Sequence, residues 1–230
     1  MPLPPRLGEL RDRLLDLVFP PHCVGCGRAG VALCGRCLRD LPRLEPPVCA
    51  RCGLSLTTGH TCDWPHRHLD AVRSWFAFDG VAREAVHALK YGRLTSLARP
   101  LAELTAAALR DAPAPADALV AVPLHRARER ERGYNQAELL ARYLAPQLGL
   151  PLEHWVRRAR PTPQQARAAT AEQRRENVRG AFSAEGVHPG ARVLALDDVC
   201  TTGATLDDCA RALKEGGASW VGGLTFAREL

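Results

Sequence analysis

The sequence lacks two features that membrane and exported proteins carry. No apolar run in its 230 residues approaches the ~20 residues that a membrane-spanning helix needs. Its first residues carry charges throughout, whereas a signal peptide places an uninterrupted apolar stretch after a charged start. We therefore expect a cytoplasmic protein with no membrane insertion.

The chain is also poor in lysine, because Lys90 and Lys214 are its only two. Its many arginines are unevenly placed. Residues 121–180 contain twelve Arg and six Glu with no Asp or Lys, so this segment carries a formal charge of +6, equal to that of the whole chain. A preference for Arg over Lys explains the residue type but not the clustering. The clustering suits an anionic partner, either phosphate or nucleic acid.

Strand and helix patterns alternate over most of the chain, which predicts parallel βαβ units. In such sheets, ligands gather at the carboxyl ends of the strands. Residues 123–136 and 197–205 are expected at such ends. The predicted strands are 72–78, 118–123, 192–198 and 219–227, and the predicted helices are 81–90, 95–110, 133–148 and 205–214.

The stretch "VLALDDVCTTGAT" (residues 193–205) joins a buried strand to a helix through two aspartates and a turn of small residues. It lacks the Gly-Lys-Ser/Thr of a Walker loop and the G-x-G-x-x-G of a dinucleotide-binding turn. Free N–H groups at such a turn, together with the helix dipole, form an anion site. Gly203 allows a phosphate to approach closely, and Thr201, Thr202 and Thr205 add hydroxyl donors.

The two aspartates in this stretch, Asp197 and Asp198, call for a different ligand group, since a carboxylate repels phosphate. Paired carboxylates suit a diol, such as the 2- and 3-hydroxyls of a ribose, with a divalent metal nearby. A ribose 5-phosphate presents both a diol and a phosphate. The whole stretch therefore predicts a site for a phosphorylated ribose.

Seven of the nine cysteines lie between residues 23 and 62, which in a cytosolic protein indicates metal binding. The first set contains two complete C-x2-C pairs, and this spacing is typical of a tetrahedral zinc site. Its members are Cys23, Cys26, Cys34 and Cys37. The spacing alone leaves open an interleaved pairing with the next C-x2-C pair.

The second set, Cys49, Cys52 and Cys62, is one ligand short, because the expected fourth position is Pro65. A nearby histidine could replace the missing cysteine, or this second site has lost its metal. The histidines within reach in sequence are His60, His66 and His68.

Several stretches carry a resemblance to known families. The acidic turn closely resembles the motif with which type I phosphoribosyltransferases bind phosphoribosyl pyrophosphate (PRPP). The segment "AVPLHRARERERGYNQAELLA" (121–141) looks like the hallmark of ComF-type proteins, and "ALKYG" (88–92) and "RARPTPQQARAATAEQRRENVRGAF" (158–182) match the same family. With the cysteine pairs ahead of them, the resemblance to the ComF family (ComFC/GntX-like) covers nearly the whole chain.

The resemblance implies an α/β protein with a type I phosphoribosyltransferase fold, in which helices flank a parallel sheet, and an N-terminal double zinc ribbon. The expected boundaries are an amphipathic helix at 1–20, a zinc-ribbon module at 21–68 and a phosphoribosyltransferase-like domain at 69–230. Residues 68–92 and the module are expected to form the hood over the acceptor. The expected cofactors are Zn²⁺ and Mg²⁺ with PRPP.

The resemblance also implies roles for single residues. Asp197 and Asp198 would be the catalytic pair that holds the ribose hydroxyls. The 5-phosphate would be wrapped by the turn that follows them, Thr201, Thr202, Gly203, Ala204 and Thr205. The pyrophosphate would be bound by Arg130, Arg132 and Gly133.

Two functions are compatible with these features. The first is an enzyme that transfers a phosphoribosyl group from Mg-PRPP to an unknown acceptor. The second is a competence factor that binds single-stranded DNA beside uptake or helicase proteins and keeps the PRPP site as a sensor or relic. Tyr91, Tyr134 and Trp155 are candidates for stacking on bases.

Overall fold

Five parallel strands form the central sheet of the computed structural model, which describes residues 21–57, 59–111, 115–159 and 171–230. The predicted N-terminal helix at 1–20 lies outside the described residues. The strands of the sheet are β1 (Ala71–Ala77), β2 (Ala118–Ala121), β3 (Leu152–Glu153), β6 (Arg192–Cys200) and β7 (Trp220–Arg228), and their spatial order is β1-β7-β6-β2-β3. A separate antiparallel pair joins β4 (Val156–Arg158) to β5 (Phe182–Ala184).

Helices cover both faces of this sheet. They are α1 (Gly35–Arg39), α2 (Gly80–Tyr91), α3 (Ala98–Asp111), α4 (Arg126–Arg132), α5 (Gln136–Leu148), α6 (Ala171–Val178) and α7 (Ala204–Glu215), and a short 3₁₀ turn (Thr95–Leu97) precedes α3. The α/β class with a parallel sheet between helices, expected from the sequence, is thereby confirmed.

The central strand β6 shows why the sheet is buried on both sides. Leu194 and Leu196 pack into the core formed with α2, α3 and α5. Val193 and Ala195 alternate with them and pack into the opposite core, with α7. A strand whose two faces are both covered reads as a continuous apolar run, as "VLAL" does.

The predicted single helix at 133–148 is wrong in its start. Gly133 ends the short helix α4 in a left-handed conformation, with φ of 86°, and a second helix begins only at Gln136. Asn135 caps this second helix, because its side chain accepts a hydrogen bond from the backbone N–H of Ala137 at 3.0 Å. The glycine is thus a helix stop where the sequence suggested a helix start.

The cysteine-rich segment lies along the outer edge of β1. The N–H of Leu44 donates to the carbonyl of Trp75, and the N–H of Ala77 donates to the carbonyl of Pro42, both at 2.8 Å. Further along, the N–H of Val72 donates to the carbonyl of Arg51 at 2.7 Å. These bonds satisfy backbone groups that an edge strand would otherwise expose.

None of the helices in the described part of the chain is both long and apolar enough to cross a membrane.

Candidate functional site

A cleft of about 670 Å³ opens at the carboxyl ends of β2 and β6. Its floor is the end of β6 and the start of α7. Its walls are the loop after β2, the helix α4, the end of α2 and Arg158 at the end of β4. Because parallel strands end at the same edge of a sheet, the two segments predicted to bind ligand meet here.

The turn between β6 and α7 has the geometry of an anion site. Gly203 adopts a left-handed conformation, with φ of 74°, and stands at the N-cap position of α7 without capping it by a side chain. The N-terminus of this twelve-residue helix, which is the positive end of its dipole, therefore borders the cleft. Four of the five predicted phosphate-binding residues line the cleft, namely Thr201, Gly203, Ala204 and Thr205. The fifth, Thr202, accepts a hydrogen bond from the N–H of Ala204 with its hydroxyl oxygen, at 3.4 Å.

Asp198 is a buried carboxylate with one committed and one uncommitted oxygen. Its side chain is almost fully buried, and its Oδ1 lies 2.9 Å from Nζ of Lys90 on α2. Its Oδ2 is also buried and has no hydrogen-bond partner among the described residues. A buried acceptor without a partner is costly, so this oxygen fits a hydroxyl or a cation brought by a ligand.

Asp197 stands beside Asp198 on the cleft, and its Oδ1 accepts a hydrogen bond from the N–H of Asp198 at 2.8 Å. Burial and the negative charge of Asp198 raise the pKa of Asp197 to about 7, although Lys90 acts in the opposite direction. At neutral pH this group therefore exchanges between its protonated and ionised forms. A bound cation would favour the ionised form.

Four arginines line the same cleft as the two aspartates: Arg93, Arg128, Arg132 and Arg158. Burial lowers the pKa of Arg128, and the charge of Arg132 lowers it further. Burial also lowers the pKa of Arg158, and the charge of Arg128 adds to the effect. Both shifts come first from burial of the guanidinium groups and second from repulsion between neighbouring cations, and a bound anion would offset both effects.

The residues predicted to bind pyrophosphate fall in different places. Arg132 lines the cleft, where its guanidinium lies 5.0 Å from the ring of Tyr91 and donates to Gln136 at 2.8 Å. Arg130 lies on the exposed side of α4, away from the cleft. Gly133 ends α4 and thereby fixes where its arginines point.

The rest of the Gly-Tyr-Asn-Gln segment holds this wall in place. The hydroxyl of Tyr134 donates to the carbonyl of Leu89 on α2. The side-chain amide of Asn135 donates to the carbonyl of Val122, at 3.0 Å, in the loop after β2. Tyr134 is thus engaged in packing, and Trp155 is buried against His188, so of the three predicted stacking residues Tyr91 alone is well exposed, at 69%.

The first cysteine set forms one compact centre, without interleaving. The thiols of Cys23, Cys26, Cys34 and Cys37 lie within 4.8 Å of one another. The sulfurs of Cys26 and Cys34 are 3.6 Å apart, close to the roughly 3.8 Å that a tetrahedral zinc with Zn–S bonds of about 2.3 Å requires. Four thiolates in this arrangement fit zinc.

The second set forms a similar centre, in which His60 supplies the fourth ligand. Its Nε2 lies 3.0 Å from the sulfur of Cys52, and the ligand atoms of Cys49, Cys52, His60 and Cys62 all lie within 4.8 Å. His66 and His68, the other histidines within reach in sequence, lie elsewhere. The structure thus favours a Cys₃His centre over the loss of the second metal.

In the second centre, the pKa values of the thiols differ from one another. Burial raises the pKa of Cys49, but backbone N–H groups of Cys52 and Arg51 outweigh it and lower the pKa to about 7. Burial and the neighbouring thiols raise the pKa of Cys62 to about 11. A divalent cation would offset the repulsion between these sulfurs and ionise them together.

Sequence reasoning missed Lys90, Arg128 and Arg158 as site residues. The sequence did contain a signal that could have identified Lys90 as a site residue, because it is one of only two lysines in a chain that otherwise uses arginine. Arg128 differs from its neighbours on α4 only in which side of the helix it occupies. Arg158 comes from a segment without clear periodicity.

Comparison with known protein families matches two separate segments of the chain. The double zinc ribbon domain family matches residues 14–64, and the phosphoribosyl transferase domain family matches residues 131–229. Among solved structures, the glutamine phosphoribosylpyrophosphate amidotransferase from B. subtilis aligns over 56% of this chain and 26% of its own, with 24% identity and a TM-score of 0.39.

Two curated relatives match along most of their length. Competence protein F of Haemophilus influenzae is 32% identical over 216 residues, which are 86% of this chain and 92% of the relative. DNA utilization protein YhgH of Salmonella typhi is 32% identical over 202 residues, which are 82% of this chain and 87% of the relative. With a double zinc ribbon ahead of a type I phosphoribosyltransferase fold, the chain belongs to the ComF family.

Proposed function

We propose that the cleft binds PRPP with magnesium and that the protein acts as a phosphoribosyltransferase during DNA uptake in the cytoplasm. The observation that carries this proposal is the buried, unpartnered Oδ2 of Asp198, which lies beside the N-terminus of α7 on the same cleft. The carboxylate oxygen can accept a hydrogen bond or bind a cation, and the helix N-terminus can bind a phosphate. A ribose phosphorylated at position 5 supplies both.

The proposed ligand spans the cleft from its floor to its wall. Its 5-phosphate lies on the turn 201–205, where backbone N–H groups bind it. Its ribose hydroxyls donate to Asp197 and Asp198. Its pyrophosphate lies against Arg128, Arg132 and Arg158, whose planar groups suit bidentate phosphate contacts. The predicted contact between Arg130 and pyrophosphate stays a prediction. Arg130 is exposed on α4 and does not line the cleft.

Magnesium fits the same arrangement. Asp197 and Asp198 are the carboxylates that would hold it, because a hard divalent cation prefers carboxylate and phosphate oxygens. When bound, Mg²⁺ would neutralise part of the charge on the pyrophosphate. The raised pKa of Asp197 supports this role, since the cation would replace a proton there.

In the proposed reaction, the bond from the anomeric carbon to a pyrophosphate oxygen breaks, and its electron pair leaves with the pyrophosphate. The acceptor forms the new bond at the same carbon. The three guanidinium groups stabilise the charge that grows on the leaving group, and they are already oriented before the reaction. Phe78, His87 and Tyr91 also line the cleft, and the acceptor is proposed to bind against them. The predicted hood at 68–92 stays a prediction, and its residues 71–77 form strand β1 of the central sheet.

A calorimetric titration of PRPP into the purified protein, with and without magnesium, tests this proposal. We expect micromolar binding that depends on magnesium. Absence of binding under both conditions would contradict it.

The second candidate is a single-stranded DNA-binding competence factor that uses the PRPP site as a sensor. The names of the relatives favour it, as does the arginine surplus of residues 121–180, where Arg126, Arg130 and Arg157 are exposed outside the cleft. Such a factor would work beside DNA-uptake or helicase proteins. Binding to DNA through phosphates should weaken steeply with salt.

Fluorescence anisotropy with a labelled single-stranded oligonucleotide tests the second candidate. A steep loss of affinity between about 50 and 200 mM salt would support it. If Mg-PRPP binds but is not consumed with any acceptor while DNA binding responds to PRPP, the sensor reading is favoured over the enzyme.

A further inference from the structure

The segment that leaves the second metal centre runs directly to the phosphate turn. This strap, residues 62–69, begins at the ligand Cys62 and ends at Leu69 before β1. Asp207, in the first turn of α7, holds it there. The Oδ1 of Asp207 accepts hydrogen bonds from the N–H groups of His68 and Leu69, both at 2.9 Å.

His66 in this strap lies against Gly203, the glycine of the phosphate turn. The contact is so close that a Cβ atom at position 203 would lie 2.6 Å from both Cε1 and Nε2 of the imidazole ring. Real Cβ atoms essentially never approach another atom that closely, so the ring and the glycine fit as a pair. The turn therefore has a wall on its outer side, supplied by residue 66.

The ring of His66 is held from the other side by Trp64. The two rings meet edge to face, with centroids 4.8 Å apart and planes at 77°. The indole N–H of Trp64 donates to the carbonyl of Leu69 at 3.2 Å, which fixes its orientation. The position of His66 is thus set by the strap as well as by the turn.

The second metal centre is tied into the same array. The guanidinium of Arg51, between two of its cysteine ligands, lies 5.5 Å from the ring of Trp64. The carbonyl of Arg51 accepts from Val72 at 2.7 Å, and the carbonyl of Cys52 accepts from Arg228 at the end of β7. A continuous set of contacts therefore runs from the metal ligands through Trp64 and His66 to Gly203.

We propose that His66 is a positioning residue through which the second metal centre sets the affinity of the phosphate turn. With the metal bound, Cys62 and His60 hold the start of the strap, and the strap presses His66 against Gly203. This keeps the N–H groups of the turn directed into the cleft. Without the metal, the start of the strap is released and the turn loses its outer wall. The inference rests on the proposed binding of PRPP.

A double-mutant cycle with calorimetric titration of Mg-PRPP tests this inference. We expect His66→Ala and His60→Ala each to weaken binding by about tenfold, within the usual range for coupled sites. The double variant should bind as weakly as either single variant, because both changes interrupt the same connection. His68→Ala is the matched control, since the strap keeps its backbone bonds to Asp207, and it should bind like the wild type.

A second readout separates positioning from general damage to the fold. By reciprocity, Mg-PRPP should raise the affinity of the second centre for zinc and so protect that zinc, at equilibrium, from the chelator 4-(2-pyridylazo)resorcinol. This protection should vanish in His66→Ala and return in His66→Gln, which keeps a planar polar group of similar reach. The variant His60→Ala is expected to hold zinc only at the first centre. Mg-PRPP should not protect the zinc of that centre from the chelator.

The outcomes are distinguishable. Wild-type protein that does not bind Mg-PRPP would overturn the proposed function and this inference with it. Binding by the wild type with equal affinity in His66→Ala and His68→Ala would overturn the inference alone. The inference would also be overturned if the losses of Mg-PRPP affinity multiplied in the double variant. Zinc transfer to the chelator that does not depend on Mg-PRPP would overturn it as well.

Discussion

Lys90 on α2 and Asp198 on β6 form an ion pair at the floor of the cleft, with 2.9 Å between Nζ and Oδ1. The pair leaves one oxygen of Asp198 buried without a partner in the described part of the chain. A carboxylate held on one side by a fixed cation cannot turn away from the cleft. The site is thus organised to receive a ligand before the ligand arrives.

Replacing Asp198 by Asn should weaken Mg-PRPP binding by roughly a hundredfold or more, because the variant removes a buried charge that meets the ligand. The fold should persist, as judged by far-ultraviolet circular dichroism. Asp70→Asn is the control, since Asp70 pairs with Lys214 at 2.8 Å outside the cleft. Unchanged affinity in Asp198→Asn would contradict the assignment.

The variants Arg128→Ala and Arg132→Ala should each weaken Mg-PRPP binding by about tenfold or more, because each removes a hydrogen bond to a charged phosphate group. Arg126 lies on the same helix but is exposed and away from the cleft, so Arg126→Ala should change affinity little. Calorimetric titration at constant ionic strength measures all three. Arg130→Ala, measured alongside them, tests the sequence prediction for that residue. Equal losses in all four variants would indicate a general charge effect in place of a defined contact.

The free energy of unfolding should fall as pH rises from about 4 to about 7 through the contribution of Asp197. The pKa of Asp197 in the folded chain, about 7, lies above the value of about 3.9 for an unfolded aspartate. In that window the folded state binds more protons than the unfolded state, so a rise in pH disfavours folding. Urea unfolding of the wild type and Asp197→Asn at pH 5 and pH 8 measures this. The stability of the variant relative to the wild type should be greater at pH 8, and a pH-independent difference would exclude the effect.

Removing the first metal centre should destabilise the protein more than removing the second. Cys37 is buried in the core shared with α2, and a Cβ at Gly25 would touch both its sulfur and Val81. Cys37→Ala should therefore lower the free energy of unfolding by several kcal/mol, whereas His60→Ala should cost less. Zinc content measured by mass spectrometry should fall by one ion per chain in each variant. Similar melting temperatures for Cys37→Ala and His60→Ala would contradict this prediction.

The turn after β6 was predictable because its chemistry is local. The stretch "DDVCTTGAT" contains the end of the strand, the two carboxylates and the start of the helix within nine residues. The first cysteine set was predictable for the same reason, since the spacing of two C-x2-C pairs is itself the geometry of the site.

The remaining site residues depend on tertiary structure. Which histidine completes the second centre follows from how the segment folds after Cys52, and the sequence offered three. Arg158 reaches the cleft only because β4 packs beside α7 through β5. Gly133 was misplaced because a glycine beside a helix serves as a stop or a start, and the conformation that decides between them is not written in the pattern.

The bonds between the cysteine-rich segment and β1 cover the edge of the sheet, and we expect the metal centres to keep that cover in place. The outermost strand of the sheet has its free backbone groups covered by the chain around Pro42, Leu44 and Arg51. A protein stripped of zinc, or oxidised at its thiols, would uncover a seven-residue ladder of donors and acceptors open to another copy of itself. We therefore expect a chain cut before β1 to expose this edge of the sheet, because the cysteine-rich segment covers it in the intact protein.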